Sequence, residues 1–489
     1  MMDSKVIFNQ SKNGLKPYRI PKIDIKREKL SKYINKNFLR NNKARLPEVS
    51  EPEVVRHFSN LSVKNHHVDK NFYPLGSCTM KYNPKINDSI AMMSEFSGAH
   101  PLQDVSSIQG ILKVYYDLGE LLCKITEMDG ITLQPSAGSQ GEFVGLLLMK
   151  KYHEIKKNKS KKYIIIPKTA HGTNPASVIM SGYLIKQVDS DDRGRVCIKH
   201  LKELVDDETA GMMLTQPNTL GLFEDNIEQI SDLIHSYDGL MYMDGANLNA
   251  LVGMVSPYKM GFDITHINVH KTFSTPHGGG GPGAGPVAVN SKLTKFLPNP
   301  IIQYDKKRKY YSYENLKDSI GYVHSFLGNF GVLLRAYVYI RILGKGGLRN
   351  ISRTAVLNAN YLKFLLSDCY HVPFSDGTMH EFVISAVSQK EKGLKALDIA
   401  KNLLDYGFHA PTIYFPINVP ESIMIEPTET EKKETLESFA NAMNEMSLNI
   451  DSKIDYYKEA PYNTPVRKLN EAKANRELDV KWNYKDELS

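Results

Sequence analysis

Four short apolar runs between residues 162 and 269 limit the possible folds of this chain more than any other feature. They are residues 162–167, 211–215, 240–243 and 264–269, and polar residues follow each of them directly. Runs of this length, rich in Ile, Met, Val and Thr, favour buried strands. Because helical patterns such as that of residues 110–128 alternate with such runs, we predict an α/β domain with a largely parallel sheet. Such a sheet places a ligand at the polar ends of its strands.

We divide the 489 residues into four segments. Residues 1–95 are predicted to form an N-terminal arm, rich in Lys, Asn and Pro, and residues 96–320 the large domain. Residues 321–449 are predicted to hold a long linking helix and a small C-terminal α/β domain, and residues 450–489 a polar tail. In the small domain, strand and helix patterns alternate over residues 381–387, 394–406, 422–426 and 431–446.

The composition is that of an ordinary soluble globular protein, with 41% hydrophobic and 24% charged residues. The net charge of +8 is spread along the chain, which argues against a nucleic-acid-binding protein. The four cysteines form no CxxC pair, so neither a disulfide framework nor a metal site is predicted. No signal peptide or membrane-spanning run is recognisable, and the KDEL letters at 485–488 are followed by Ser489. We therefore predict a cytoplasmic protein.

Two candidate site residues precede the third strand. The segment 136–141, with Ser139, is a small-residue loop that opens a helix, where free N–H groups and the helix dipole can bind a phosphate. Taken alone it is more often an ordinary helix N-cap. His171 follows the first buried run and could stack on a flat heteroaromatic ring, although a single loop histidine more often only makes hydrogen bonds.

Three further candidates follow the third and fourth strands. Asp244 could pair with a pyridinium nitrogen, or could simply be the turn residue of an Asp-Gly pair. Lys271 could supply an amine for a Schiff base, with His270 beside it as a phosphate contact. The glycines 278–281 that follow allow a cofactor to approach the backbone closely. The order of phosphate loop, stacking ring, carboxylate and lysine is that of pyridoxal-phosphate enzymes of the aspartate-aminotransferase-like fold (fold type I).

Long, specific segments then carry a closer resemblance. The chain is similar to the lysine-bearing half of the P-protein family of the glycine cleavage system, glycine dehydrogenase (decarboxylating), from about residue 50 to about residue 475. The segments are FYPLGSCTMKYNP, QPSAGSQGE, AHGTNPAS, TQPNTLGLFE, MDGANLNA, NVHKTFSTPHGGGGPGAGP, YFPINVPESIMIEPTETE and APYNTPVRKLNEA.

The resemblance implies pyridoxal 5'-phosphate as the cofactor. It would form a Schiff base with Lys271, stack against His171 and pair its ring nitrogen with Asp244. The resemblance further implies that Ser139, Gln140 and His270 lie near the phosphate, and that Asn218 is a looser candidate for the ring oxygen. Lys271 and His171 would then be the catalytic residues, which move protons during the reaction.

The same resemblance implies the reaction and its partners. Glycine would lose CO₂, and its aminomethyl group would pass to the lipoyl arm of the carrier H-protein. A separate subunit 1 is implied as partner, in a dimer of heterodimers. No arginine stands out for binding the glycine carboxylate, so that contact is expected from backbone groups or from the partner subunit. The glycine-rich loop and the FYPLGSCTMKYNP segment are expected to shape a narrow channel for glycine and the lipoyl arm.

Other readings remain open at this point. Another pyridoxal-phosphate decarboxylase of the same fold would not account for the FYPLGSCTMKYNP and PTETE segments. A cofactor-free structural subunit would not need Lys271, Asp244 and His171 together. A nucleotide-binding module would need a GxxxxGK[ST] motif, which is absent from the sequence. Cys78, near the expected site, has no cysteine close to it in the sequence that would suggest a redox pair.

Overall fold

The computed structural model describes residues 6–15, 21–42, 44–277 and 283–482. These residues divide into two compact units, one of residues 1–67 with 461–489 and one of residues 68–460. The four-segment division made from the sequence stays a prediction. The glycines 278–281 and the letters KDEL lie outside the described residues.

The described residues of the first unit form two α-helices, α1 (Glu51–Val63) and, later in the chain, α15 (Glu471–Arg476). Ser50 begins α1 with a capping box, in which its own backbone and hydroxyl contact the Glu53 carboxylate at 2.8 Å. Within this unit the ring of Trp482 stacks on Phe8 with 4.7 Å between the ring centroids.

Within the described ranges, the second unit contains the strands and the other α-helices. The helices are α2 (Lys85–Ala91), α3 (Ser94–Ser97), α4 (Gln109–Thr126), α5 (Gly138–Ile155), α6 (Thr173–Met180), α7 (Ile198–Leu204), α8 (Ile227–Ser236), α9 (Val269–Thr272), α10 (Phe330–Leu366), α11 (Val387–Glu391), α12 (Ala396–Asp405), α13 (Lys433–Leu448) and α14 (Ile450–Lys458). The strands are β1 (Gly130–Thr132), β2 (Tyr163–Pro167), β3 (Leu184–Val188), β4 (Thr209–Thr215), β5 (Leu240–Gly245), β6 (Ile264–Ile267), β7 (Val287–Val289), β8 (Ile301–Asp305), β9 (Tyr310–Glu314), β10 (Phe382–Ser385), β11 (Thr412–Ile413) and β12 (Ser422–Ile425).

The main sheet has seven strands in the order β1-β7-β6-β5-β4-β2-β3. The neighbours from β3 to β6 pair in parallel, and β7 pairs antiparallel with both β6 and β1. This confirms the predicted α/β domain with a largely parallel sheet. Helices cover both faces, and the buried strands β4 and β5 are apolar along most of their length because neither face meets water.

The fourth predicted strand is shorter than expected. The structure ends β6 at Ile267 and places His270 and Lys271 in the short helix α9. The long linking helix is α10, which begins at Phe330, and its regular backbone is interrupted at Gly344, where φ is +59°. Gly344 tolerates that left-handed φ because it has no Cβ.

Helix α5 packs unusually close to the sheet through a row of glycines. A Cβ added at Gly141 would lie 2.7 Å from the carbonyl oxygen of Gly285, and one added at Gly145 would collide with the Tyr242 ring on β5. Gly138, at the first turn of the helix, lies equally close to the Asn268 side chain. This spacing brings the N-terminus of α5 to the ends of β5 and β6.

The small sheet, β10-β12-β11, is antiparallel and packs with α12, α13 and α14 around its own apolar core. Next to it lies a buried ion pair between Lys81 Nζ and Glu429 Oε1, 2.7 Å apart. The Lys81 ammonium also donates to Asn249 Oδ1 at 2.7 Å and to the Tyr339 hydroxyl at 3.5 Å. Lys81 thus connects the segment before α2 with α10, with the turn after β5 and with the segment after β12.

Candidate active site

A cavity of about 250 Å³ lies where β4, β5 and β6 end and α5 begins. Five of the predicted site residues lie on its wall, namely Ser139, His171, Asp244, His270 and Lys271. Parallel strands bring their carboxyl ends to one edge of a sheet, so residues far apart in sequence meet there.

Asp244 lies in the centre of a row across three strands, with Thr215 of β4 on one side and His266 of β6 on the other. Its Oδ2 accepts hydrogen bonds from Asn174 Nδ2 at 3.0 Å and from the Thr215 hydroxyl at 3.3 Å. Its Oδ1 accepts the backbone N–H of Ala246 at 2.9 Å. Burial acts to raise the pKa of Asp244, but His266 and these hydrogen bonds outweigh it and lower the pKa. Asp244 is therefore an ionised carboxylate inside the protein.

His266 supports Asp244 from the neighbouring strand. Its Nε2 lies 3.3 Å from Asp244 Oδ1, and its Nδ1 lies 2.8 Å from the Tyr242 hydroxyl. Burial lowers the pKa of His266. A neutral ring with its proton on Nε2 satisfies both partners, since Nδ1 then accepts from Tyr242.

Glu142 is a second carboxyl on the cavity wall, in the second turn of α5. Burial and the nearby charge of Asp244 raise the pKa of Glu142 to about 7. Its oxygens contact the hydroxyls of Thr173 at 2.8 Å and Ser177 at 2.9 Å. The pKa of Asp244 is thus lowered and that of Glu142 is raised. Such a pair of neighbouring carboxyls is typical of an active site, where one stays charged and the other can carry a proton.

Lys271 is half-buried, and its amine points toward the FYPLGSCTMKYNP segment, residues 72–84. Its Nζ donates a hydrogen bond to the backbone carbonyl oxygen of Ser77 at 2.6 Å. Ser77 itself lies on the cavity wall. Cys78 follows it as a free thiol, and burial raises the pKa of Cys78, which disfavours the reactive thiolate.

The start of α5 forms the opposite wall. Ala137 precedes the helix and supplies no side-chain cap, so the first N–H groups of α5 lack the usual partner. The buried polar atoms of the described residues that have no hydrogen-bond partner include His270 Nδ1, Asn268 Oδ1 and His277 Nε2. Burial lowers the pKa of His270 to about 3 and that of His277 to about 4, so both rings are neutral. The free N–H groups at the uncapped helix start are suited to bind a phosphate.

Two predicted residues are not on the cavity wall. Gln140 accepts the Ser136 N–H at 2.7 Å and donates to the Val323 carbonyl at 2.8 Å, so its amide holds the loop before α5. Asn218 is buried and closes its own turn, since its Oδ1 accepts N–H groups at 3.0 and 3.1 Å and its Nδ2 donates to Gly194. His171 is on the wall but exposed to solvent, with Nδ1 3.0 Å from the Thr173 hydroxyl.

Several wall residues were missed by sequence reasoning, namely Ser77, Glu142, Thr215, Thr219, Asn247, His266 and Asn268. His266 lies inside an apolar strand and reads there as a core residue. The glycines at 138, 141 and 145 were a usable signal, because glycines on one helix face indicate close packing against a neighbour. Among the described residues on the wall there is no arginine.

No helix within the described ranges has the length and apolar character needed to cross a membrane. The model of the family described as glycine cleavage system P-protein matches residues 19–311, and that described as glycine dehydrogenase, C-terminal domain, matches residues 351–469.

Two curated relatives and one solved structure illustrate the likeness. The probable glycine dehydrogenase (decarboxylating) subunit 2 of Chloroherpeton thalassium is 50% identical over 99% of both chains. The protein of the same description from Caldanaerobacter subterraneus is 49% identical over 98% of this chain and 99% of its own. An inhibitor-bound glycine decarboxylase (P-protein) structure has 19% identity and a TM-score of 0.72, and it covers 85% of this chain and 94% of that chain. This structural likeness confirms the predicted fold-type-I architecture. By its sequence relatives, the chain belongs to the family of glycine dehydrogenase (decarboxylating) subunit 2.

Proposed function

We propose that this chain is the lysine-bearing subunit of a glycine dehydrogenase that removes CO₂ from glycine and passes the aminomethyl group to the lipoyl arm of H-protein. The observation that carries the proposal is that Lys271 and the ionised Asp244 line one small cavity. The chain that holds this cavity is 50% identical in sequence to a probable glycine dehydrogenase (decarboxylating) subunit 2. An amine and a carboxylate across a small cavity can engage two different atoms of one planar molecule.

The residues present fit pyridoxal 5'-phosphate. The uncapped start of α5 and the Ser139 hydroxyl provide donors for a phosphate, and His270 lies on the same cavity wall. Asp244 provides an anion for a ring nitrogen, Lys271 an amine for an aldehyde and His171 a flat ring at the cavity mouth. Gln140 and Asn218 would not contact the cofactor themselves and would act by holding the loops on either side in shape.

When bound, pyridoxal phosphate supplies an electron sink for the electron pair left behind by the departing CO₂. The chain's own contribution begins with Asp244, whose low pKa lets it hold a proton on a nitrogen base presented to its carboxylate. Thr215, Asn174 and His266 fix the direction of that carboxylate, and so preorganise the charge before substrate arrives.

Lys271 and His171 are the proposed proton-moving groups. The amine of Lys271 lies against the Ser77 carbonyl oxygen, which holds it at the cavity when it is not engaged elsewhere. His171 faces solvent, so it can exchange a proton with water at the open side of the cavity. With no arginine on the described wall, the glycine carboxylate is proposed to be bound by backbone groups or by the partner subunit. An unpaired carboxylate is easier to lose as neutral CO₂ than one held by a strong cation.

The proposed partners follow from the family. They are subunit 1, in a dimer of heterodimers, and the lipoylated H-protein, whose arm must enter the cavity to collect the aminomethyl group. The proposed entry runs beside the FYPLGSCTMKYNP segment, whose Ser77 reaches the cavity wall.

The first test locates the cofactor. The purified protein, loaded with pyridoxal phosphate, should be yellow, and borohydride should fix a mass increase on the peptide that contains Lys271. Lys271→Met should lose that increase, whereas Lys85→Met, at an exposed ion pair, should keep it. A mass increase on a different lysine would contradict the assignment.

The second test concerns the reaction. The chain is mixed with subunit 1 and lipoylated H-protein, and the exchange of labelled CO₂ into glycine is followed. Exchange that depends on all three proteins and disappears in Lys271→Met supports the proposal. Exchange with other amino acids but not with glycine would favour a different decarboxylase of the same fold.

A further inference from the structure

The segment from Ser77 to Thr79 adopts a backbone conformation that its residues do not favour. Ser77 has φ +65° and Thr79 has φ +44°, both in the left-handed region, although neither is glycine. Such conformations persist only where the surrounding structure enforces them, and they cluster at functional sites. We therefore expect that the contacts that hold this segment serve the active site as well as closing the loop.

Two buried carboxyl groups of the small sheet hold the segment. Glu381 Oε2 accepts the Ser77 N–H at 2.7 Å. Glu426 accepts the Thr79 N–H at 2.8 Å and the Thr79 hydroxyl at 2.5 Å. Glu381 precedes β10 and Glu426 follows β12, and these two strands pair side by side, so the carboxyls form a pair at one end of the sheet.

Burying this pair of carboxyls costs folding free energy. Both carboxyls are fully buried, and the nearby His380 ring lies 3.9 Å from a Glu381 oxygen and 3.8 Å from a Glu426 oxygen, too far for a hydrogen bond. Burial and mutual repulsion raise the pKa of Glu381 well above its usual value. Two carboxyls so placed are poor contributors to stability, which favours a role in the site.

The other side of the same segment meets the lysine. The Ser77 carbonyl oxygen accepts the hydrogen bond from Lys271 Nζ at 2.6 Å, while the Ser77 N–H is held by Glu381. Glu381 is also tied to the large sheet, because Asn247 on the cavity wall donates to its Oε1 at 3.1 Å. A continuous set of hydrogen bonds therefore runs from the small sheet to the amine.

We propose that Glu381 and Glu426 are positioning residues for Lys271, and that they hold residues 77–79 so that the Ser77 carbonyl binds the lysine amine whenever that amine is free. This inference rests on the role given to Lys271 under the proposed function. With pyridoxal phosphate bound, Lys271 would hold the cofactor's aldehyde carbon until a substrate amine took its place, and the freed Lys271 amine would have to stay within reach to return. The Ser77 carbonyl provides that resting place, and the two carboxyls fix its position.

The test uses the protein without cofactor, so that it does not depend on activity. The apoprotein is treated with limiting acetic anhydride, and acetylation of Lys271 is measured by peptide mass spectrometry relative to a surface lysine, Lys295. Hydrogen exchange of the peptide that spans residues 74–82 reports in parallel whether the segment has been released.

Glu426→Ala and Glu381→Ala should speed both hydrogen exchange of the segment and acetylation of Lys271. The expected rise in acetylation is about three- to tenfold, the size expected for loss of one hydrogen bond. Glu426→Gln keeps an acceptor for the Thr79 N–H and should stay within about twofold of the wild type. Glu421→Ala is the matched control, because Glu421 accepts the Ala396 N–H and pairs with Lys390, away from the segment.

Faster exchange of the segment with unchanged acetylation of Lys271 would overturn the proposal. So would an equal rise in Glu421→Ala, because the effect would then be general loosening. If the alanine variants do not fold, Thr79→Val decides, since it removes only the hydroxyl contact to Glu426: a rise in acetylation supports the proposal, and no rise contradicts it. Failure of the borohydride test at Lys271 would instead refute the proposed function, whatever the acetylation shows.

Discussion

Replacing Glu426 with glutamine should remove one large contribution to the pH dependence of this protein's stability. Burial raises the pKa of Glu426 to about 7, against the opposing effect of the Thr79 hydrogen bonds and Lys271. The folded protein therefore binds a proton at Glu426 more tightly than the unfolded chain does, where the pKa is near its ordinary value of 4.5. Unfolding releases that proton, so the free energy of unfolding falls as the pH rises from 4.5 to about 7 and changes little above that.

The size of the effect follows from the shift. A difference of about 2.5 pKa units corresponds to about 3 kcal/mol in full. Most of it, about 2.5 kcal/mol, is lost between pH 5 and pH 8. Glutamine keeps the shape and an acceptor for the Thr79 N–H, and it carries no charge at any of these pH values. The free energy of unfolding of the variant, relative to that of the wild type, should therefore rise by about 2.5 kcal/mol from pH 5 to pH 8.

The assay is urea unfolding of the cofactor-free protein at pH 5, 6, 7 and 8, with the free energy of unfolding compared between the two proteins at each pH. Glu421→Gln serves as the control of opposite sign. Burial acts to raise the pKa of Glu421, but the hydrogen bonds from Lys390 and the Ala396 N–H outweigh it and lower the pKa. Its charge thus stabilises the fold at neutral pH. A constant difference between Glu426→Gln and wild type from pH 5 to pH 8 would refute the reasoning.

Three further predictions concern the site and its surroundings. Asp244→Asn keeps the shape of the side chain but removes its charge, so the affinity for pyridoxal phosphate, measured by fluorescence titration, should fall by about ten- to a hundredfold. Gly141→Ala places a Cβ 2.7 Å from a backbone carbonyl oxygen, so it should cost about 1–3 kcal/mol in urea unfolding and also weaken cofactor binding, whereas unchanged stability would contradict the close packing of α5. Lys81→Met leaves Glu429 buried without a cation and should cost about 3–5 kcal/mol, while Lys85→Met, at an exposed ion pair, should cost about 1 kcal/mol or less in the same assay.

The sequence predicted the main sheet and much of its ligand edge because parallel strands impose a simple rule. Each predicted run ends near the same edge, so Asp244 and the residues after β6 had to converge with the start of α5. The reversed strand β7 did not follow from this rule, since a run of three apolar residues carries no sign of its direction. The end of β6 was also wrong by two residues, because Asn268 begins a helical turn that its apolar neighbours conceal.

Side-chain direction set the other limit. Gln140 and Asn218 lie in the segments where they were expected, but both direct their amides toward backbone groups and not into the cavity. Glu381 and Glu426 could not be found from the sequence, because they contact the Ser77–Thr79 segment across about 300 and 350 residues of chain. Pairings over such separations depend on the packing of the small sheet, which no local pattern encodes.

The ion pair between Lys81 and Glu429 limits how the small sheet can move. It is enclosed by the turn after β5, by α10 and by the segment after β12, and both of its side chains are almost inaccessible to water. Pulling the two charges apart inside the protein would be far more expensive than turning around them. We therefore expect that any motion of the small sheet relative to the cavity leaves this pair in place.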